Sequence, residues 1–215
     1  MIFNESPIKT VARMPLEYSP RTLSQFYRAS PEFVRRVDEM HGNGFFTILL
    51  DALDLSGGRY VSIDSRSHML MPGWYPCIPG WHCDDFWRPE GQPDLEHLKP
   101  IKHFAVVLGA HISTTEFVDG PIELPSPTDI YEAPGSDRPL YAHYNSLINE
   151  RAPRTHRAQS GCVFQFSGLD FHRGLPAESA GWRSFTRITV SDHREPKNEV
   201  RTQTQVYLTA PFEGW

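Results

Sequence analysis

No apolar run in this sequence approaches the roughly 18–20 residues that span a bilayer as a helix, so no membrane-crossing segment is expected. The opening residues, Met1-Ile2-Phe3-Asn4-Glu5-Ser6, carry neither the basic region nor the apolar stretch of a secretory leader. Cysteine is scarce as well. Cys77, Cys83 and Cys162 are the only three, and they include no C-x-x-C pair. An odd, sparse set reads as reduced thiols in a cytoplasm-like compartment. A basic excess is also missing: the net charge is −5, so the surface as a whole is not built to hold phosphate backbones. That balance leaves room for a local basic groove but argues against a dedicated nucleic-acid binder. Internal repeats and low-complexity tracts are absent. The expectation is a soluble, cytoplasmic protein.

What the chain does have is core-forming material and punctuation. Hydrophobic residues make up 39% and aromatics 12%, which suits a folded globular protein. Its 215 residues fit one domain spanning 1–215, with an N-terminal arm and helices over 1–44 and a core over 45–215. Nineteen prolines and fifteen glycines cut the chain into many short elements. Residues 1–20, broken by Pro7, Pro15 and Pro20, read as an irregular arm, and Thr22 to Arg28 as a short helix. Ser30 as N-cap, Pro31 in the first turn, Phe33, Val34, Val37 and Met40 at helical spacing, and Gly42 as the stop mark a second helix.

From Phe45 the pattern turns to extended runs. Phe45 to Leu50, Arg59 to Ile63, Met69 to Ile78, Ile101 to Ala110, Ile112 to Val118, Cys162 to Phe166, Trp182 to Val190 and Val200 to Leu208 read as strands. Pro125 to Asp137 reads as loop and Leu140 to Arg151 as a helix. So many short strands with turn signals between them, and few helices, predict a mainly β fold. A double-stranded β-helix, a cupin-like jelly roll with a few flanking helices, fits best.

Chemistry gathers in two stretches. His82 and Asp84, in Pro79-Gly80-Trp81-His82-Cys83-Asp84-Asp85, stand two apart, and on an extended segment such residues share a face. About ninety residues later comes Asp170-Phe171-His172-Arg173-Gly174, with His172 at a strand mouth beside a turn. Two imidazoles and one carboxylate make the facial triad of non-haem Fe(II) sites, which leaves the opposite metal positions open. Alternation favours Asp84 over its neighbour Asp85 as the carboxylate. Arg183 and Arg187 lie four apart on a later strand and so on one face, and a guanidinium grips a carboxylate bidentately. His103, His111 and His143 have no partner assignable from the sequence.

Together, His82-x-Asp84, His172 and Arg183 eleven residues further on resemble the Fe(II)/2-oxoglutarate-dependent dioxygenases, most of all the phytanoyl-CoA dioxygenase branch. The Arg183-x-x-x-Arg187 pair is also similar to the taurine dioxygenase branch. The likeness covers roughly Met69 to Val190. It implies iron at His82, Asp84 and His172, and Arg183 on the distal carboxylate of 2-oxoglutarate. Arg187 would assist it or reach the substrate, with Thr115 or Thr114 bonded to the co-substrate. It implies hydroxylation of a small organic or nucleobase-like molecule, aromatic or anionic in character, with O2 consumed and succinate and CO2 released. The aromatic run Trp74, Tyr75, Trp81, Phe86, Trp87 walls a substrate pocket or packs the barrel mouth. Two rivals use the same residues differently: a cupin-type metalloenzyme without 2-oxoglutarate, and a non-catalytic jelly-roll binding module.

Overall fold

The computed structural model describes residues 1–85, 101–132 and 139–208. Two short strands, β1 (Ile2–Phe3) and β2 (Lys9–Arg13), come first. Next are β3 (Phe26–Tyr27) and the helices α1 (Pro31–His41) and α2 (Phe45–Asp51). They lead into β4 (Tyr60–Leu70), β5 (Ile101–Leu108), β6 (Thr115–Val118) and β7 (Ile122–Glu123). Helices α3 (Pro127–Glu132) and α4 (Leu140–Arg151) follow. The remaining strands are β8 (Thr155–Arg157), β9 (Cys162–Ser167), β10 (His172–Gly174), β11 (Gly181–Ser191) and β12 (Glu199–Val200).

The strands form a five-stranded antiparallel sheet in the order β2-β9-β5-β11-β4 and a three-stranded antiparallel sheet, β10-β6-β8. Two small pairs, β1-β7 and β12-β3, complete the set. This is the mainly β, jelly-roll architecture that the run of short strands predicts.

Each strand of the large sheet serves two layers because its side chains alternate. Ile63, Phe104, Val106, Leu108, Val163, Ile188 and Val190 point outward and pack with Val34, Phe45, Phe46, Leu49 and Leu50 of α1 and α2. Ala105, Val107, Phe164 and Phe166 point inward and meet Phe117 of the small sheet. The small sheet has its own cover, where Leu140, Tyr141, Tyr144 and Ile148 of α4 pack with Phe3, Trp81 and Phe171. The core between the sheets is dry at the β5/β9 end. At the β4/β11 end the inward positions are Asp64, Arg66 and His68 facing Arg183, Phe185 and Arg187, and a cavity opens there.

Helix α1 follows its sequence signals. Ser30 Oγ accepts from the Phe33 N–H at 3.3 Å, Pro31 fills the first turn, and Gly42 closes the helix at φ 63°. Helix α4 spans the residues its pattern marks. Six segments differ. Met69 to Ile78, expected as a strand, is strand only at Met69 and Leu70, the end of β4, and 71–78 runs as turns with a single bridge at Tyr75, because Pro76 and Gly73 break any longer ladder. Phe45 to Leu50, expected as a strand, is helix α2: a continuous short apolar run has no period of its own. Inside the fold it buries Phe45, Phe46, Leu49 and Leu50 along one helical face. The arm expected to be irregular supplies β2, an edge strand paired with β9 by backbone bonds, with a register shift between Thr10 and Ala12. Its side chains are mostly exposed, so no apolar alternation betrays it. Thr22 to Arg28 is a 3-10 turn at Pro20–Thr22 followed by β3 rather than a helix.

Pro125 to Asp137, expected as loop, holds α3. Ser126 Oγ accepts from the Asp129 N–H at 3.1 Å while the Asp129 carboxylate accepts from the Ser126 N–H at 2.9 Å, a reciprocal cap that nucleates the turn. The part of that loop over 133–137 lies outside the described residues. Val200 to Leu208 is not a continuous strand. Only Glu199–Val200 pairs, with β3, and the segment 201–207, several of whose residues line the cavity, leads to a backbone bridge between Tyr207 and Tyr75.

Gly109, at the end of β5, shows how tightly the large sheet is closed. At φ 78° it is left-handed, and a Cβ there would sit 2.5 Å from the Trp182 carbonyl oxygen on β11. Gly42 shares the left-handed backbone but has nothing within 4 Å of a Cβ. Gly109→Ala is therefore expected to cost about 2–3 kcal/mol and Gly42→Ala about 1 kcal/mol. Urea unfolding of the two variants checks the order, and equal losses would show that the β5–β11 contact yields freely.

Candidate metal centre

The segment 79–85 has no strand of its own, so the expectation of an extended strand carrying His82 and Asp84 is not met. It is instead tied to β10 by one antiparallel bridge. The His82 N–H donates to the His172 carbonyl and the His172 N–H to the His82 carbonyl, both at 3.0 Å. The bridge brings the two imidazoles to 4.8 Å between ring centroids.

Each ring is then oriented the same way. His82 Nδ1 lies 2.9 Å from the Gly80 carbonyl and His172 Nδ1 lies 3.0 Å from the Asp170 carbonyl, in both cases two residues upstream. A carbonyl only accepts, so Nδ1 carries the proton and Nε2 presents the lone pair, the form a metal ligand needs. Asp170 is itself fixed, its carboxylate accepting the Ser167 N–H at 2.6 Å.

Asp84 completes the set. One ligand atom from each of His82, Asp84 and His172 lies within 4.8 Å of the others. His172 Nε2 and Asp84 Oδ2 are 3.1 Å apart. Two donors on adjacent corners of an octahedron with bonds of about 2.1 Å are separated by about 3 Å, so this edge already has metal-site spacing. With the Nδ1 proton spoken for by Asp170, two lone-pair atoms face each other across that gap. A shared cation would fill it. The cluster is a candidate metal site.

The electrostatics favour the ligand forms. Burial lowers the pKa of His82 to about 4. Burial opposes ionisation of Asp84, but Arg187 and His172 outweigh it and hold its carboxyl well below the usual range. Arg187 Nη1 donates to Asp84 Oδ2 and Nη2 lies 2.8 Å from Asp85 Oδ2, with Asp64 Oδ2 at 3.6 Å. Asp85 is fully engaged elsewhere. It takes hydrogen bonds from Arg187, Arg194 and, at 3.0 Å, Thr189 Oγ1, and it sits at φ 66°. The ambiguity between the two aspartates therefore resolves in space: Asp84 joins the histidines and Asp85 anchors the loop.

Three carboxylates, Asp64, Asp84 and Asp85, are thus matched by Arg187, Arg194 and Arg201, the last 3.3 Å from Asp64. Arg183 stands apart. It is 2% exposed and, among the described residues, pairs with no carboxylate. Its Nε donates to the Ser113 carbonyl at 2.9 Å and its Nη2 to Thr115 Oγ1 at 3.1 Å. Burial and the nearby Arg66 pull its pKa down to about 10, so it stays charged at neutral pH.

A cavity of about 780 Å³ joins these groups: His82, Asp84 and His172 line it together with Thr115, Arg183 and Arg187. The structure brings all six expected site residues to one space, and leaves Thr114 bonded to the Ala158 carbonyl instead. Sequence reasoning missed Asp64, Arg66 and His68, although polar residues at every second position of a strand were a legible sign. It also missed Gln203, Thr204, Gln205 and Tyr207, for which the tail offers no signal. Of the aromatic run, Trp81 packs beside α4 with its Nε1 donating to Asn149 at 3.2 Å, and Trp74 packs near Leu70 and Ile112. Phe86 and Trp87 lie outside the described residues.

No protein-family model matches the chain. No curated protein matches it in sequence. Among solved structures, the crystal structure of AviO1 from Streptomyces viridochromogenes Tue57 is similar over 87% of this chain and 75% of that one. The identity is 14% and the TM-score 0.41, a distance at which the likeness bears on neither activity nor ligand. Fold and side chains together define a jelly-roll protein with a candidate metal centre in its cavity. Among the described residues, no helix is long and apolar enough to cross a membrane.

These environments fix a pH dependence. Burial and Arg183 lower His68 to about 4, alongside His82, from the ordinary value of 6.5. A base harder to protonate when folded contributes stability that is full above 6.5 and is lost as pH falls toward 4. Asp64 and Asp84, held below 3.8, keep contributing until lower pH. The melting temperature of the metal-free chain should thus be level at pH 7–8 and drop between 6.5 and 4, by about 2–4 °C per kcal/mol lost. His68→Gln should flatten part of that drop. A profile that rises on acidification would contradict the buried neutral histidines.

Proposed function

We propose that this chain is a non-haem Fe(II)/2-oxoglutarate-dependent oxygenase that hydroxylates a small organic molecule. The observation that carries the reading is the pairing of two features in one cavity. The His82, Asp84 and His172 donors line the same cavity as Arg183, a buried guanidinium that has no carboxylate partner among the described residues. Iron bound at the triad would supply O2 activation, coupling decarboxylation of 2-oxoglutarate to succinate and CO2 with insertion of the second oxygen atom into a substrate C–H bond.

The protein's own part is positioning. The Gly80 and Asp170 carbonyls hold both imidazoles as Nε2 donors. Arg187 keeps Asp84 ionised and fixed, so in this reading it serves the metal ligand rather than the co-substrate. Of the five N–H donors of Arg183, two go to Ser113 and Thr115, which leaves three for the distal carboxylate of 2-oxoglutarate. Thr115 sets the plane of that guanidinium. Tyr141, its hydroxyl donating to the Cys83 carbonyl at 2.8 Å, and residues of the 201–207 segment line the cavity beside these groups.

Anaerobic titration of the metal-free chain with Fe(II) and then 2-oxoglutarate tests this. A saturable visible charge-transfer band is expected, and its absence would sink the keto-acid reading. Iron binding without the band would support the cupin-type metalloenzyme, and no iron binding the binding module. His172→Ala should abolish Fe(II)-dependent 2-oxoglutarate turnover. Arg183→Ala should weaken 2-oxoglutarate by about 10–100-fold, the worth of a charge-assisted hydrogen bond, with metal affinity nearly unchanged. Equal loss of both would make Arg183 structural.

A further inference from the structure

The cavity holds one more cation than the reading above uses. On β4, Asp64, Arg66 and His68 face inward. In the antiparallel register they stand opposite Arg187, Phe185 and Arg183 in turn. Asp64 and Arg187 pair with each other, and Arg183 is tied down to β6 through Ser113 and Thr115. Arg66, on the middle rung, makes no hydrogen bond or ion pair with any described residue. Its neighbours explain why. Asp64 is already taken by Arg187, Arg194 and Arg201, and Asp85 by Arg187, Arg194 and Thr189.

Two guanidiniums on diagonal positions of one strand pair are about 7–8 Å apart at the backbone, and no described carboxylate separates them. Such repulsion inside a concave, partly enclosed wall is relieved only when anions arrive. A single five-carbon keto diacid does not answer both charges if its ends are held at the metal donors and at Arg183. It also leaves much of a 780 Å³ cavity unfilled. Besides the metal donors and Arg183, the cavity is lined by Phe185, which stands opposite Arg66 on the strand pair, and by Tyr207 and the polar Gln203 and Gln205. This is a surface for a flat or apolar body with an acidic group at one end.

We propose that Arg66 is a second anion-binding residue, and that it takes the acidic group, a carboxylate or a phosphate, of the molecule to be oxidised. The proposal rests on the oxygenase reading for what the anion belongs to, but not for its binding. Arg66 sets which substrates are accepted, and Phe185 supports the body attached to the acid.

The test is calorimetric titration of the full chain with phenyl phosphate and with benzoate, under anaerobic conditions with Fe(II) and saturating 2-oxoglutarate. At least one probe should bind with a stoichiometry of one. Arg66→Gln should weaken it about tenfold or more while changing 2-oxoglutarate affinity less than about twofold. Arg183→Gln should do the reverse, and Arg66→Lys should keep part of the probe affinity at an unchanged melting temperature. Which probe binds tells phosphate from carboxylate. If neither probe binds the unaltered chain, or if Arg66→Gln weakens 2-oxoglutarate as much as Arg183→Gln does, the proposal is wrong. Repeating the titration without 2-oxoglutarate separates the two readings. Arg66-dependent probe binding in a chain that never binds 2-oxoglutarate would end the oxygenase reading and keep the anion site.

Discussion

Arg187 is the interaction on which the site depends. Three aspartates converge on it: Asp64 from β4, and Asp84 and Asp85 from a segment with no strand of its own. Taken out of water without a cation, three carboxylates so close would repel one another and resist burial. Arg187 reverses this. Burial works against its charge, yet Asp84 and Asp64 raise its pKa above the ordinary value. Because the arginine is fixed on the long β11–β4 pairing, the loop carrying Asp84 inherits the rigidity of the large sheet. The arrangement is one of mutual need: remove either side and an uncompensated buried charge remains, which typically costs about 3–5 kcal/mol.

A second constraint sets the orientation of the donors rather than their charge. The bridge between His82 and His172 fixes the two backbones at hydrogen-bond distance, and a carbonyl two residues upstream holds each ring. The small sheet thus supplies His172 and, through the bridge to the 79–85 segment, positions His82, while the large sheet supplies Arg183 and Arg187. A cavity between two sheets of a jelly roll is where such a division of labour is natural, because inward positions of both sheets look into one space. The dry end of that space, around Val107, Phe117, Phe164 and Phe166, provides the packing that keeps the polar end open.

Much of this was legible in the chain. Helix α1 announces itself through Ser30, Pro31 and Gly42, and β5, β9 and β11 through their β-branched and aromatic runs. Among the residues that line the cavity are His82, Asp84, His172, Arg183 and Arg187, which the motif spacing selected, and Thr115, which was one of two alternatives. What stayed hidden shares one physical trait: it is decided by partners distant in sequence. The Phe45–Leu50 run is apolar in either state and became helix α2 because the outer face of the large sheet needed cover. Lys9–Arg13 became a strand only because β9 offers a free edge.

The sequence by itself determined the material: a chain rich in short strands, a metal-capable trio of side chains, and two arginines at strand spacing. Local rules suffice for these, since caps, alternation and residue chemistry act within a few positions. Only the tertiary structure decided which aspartate stands with the histidines, which arginines are already matched, and that Arg66 is left over among the described residues. Those outcomes depend on charges brought together from β4, β11, the 79–85 segment and the tail, and no local pattern records how such charges divide among themselves once they share one buried space.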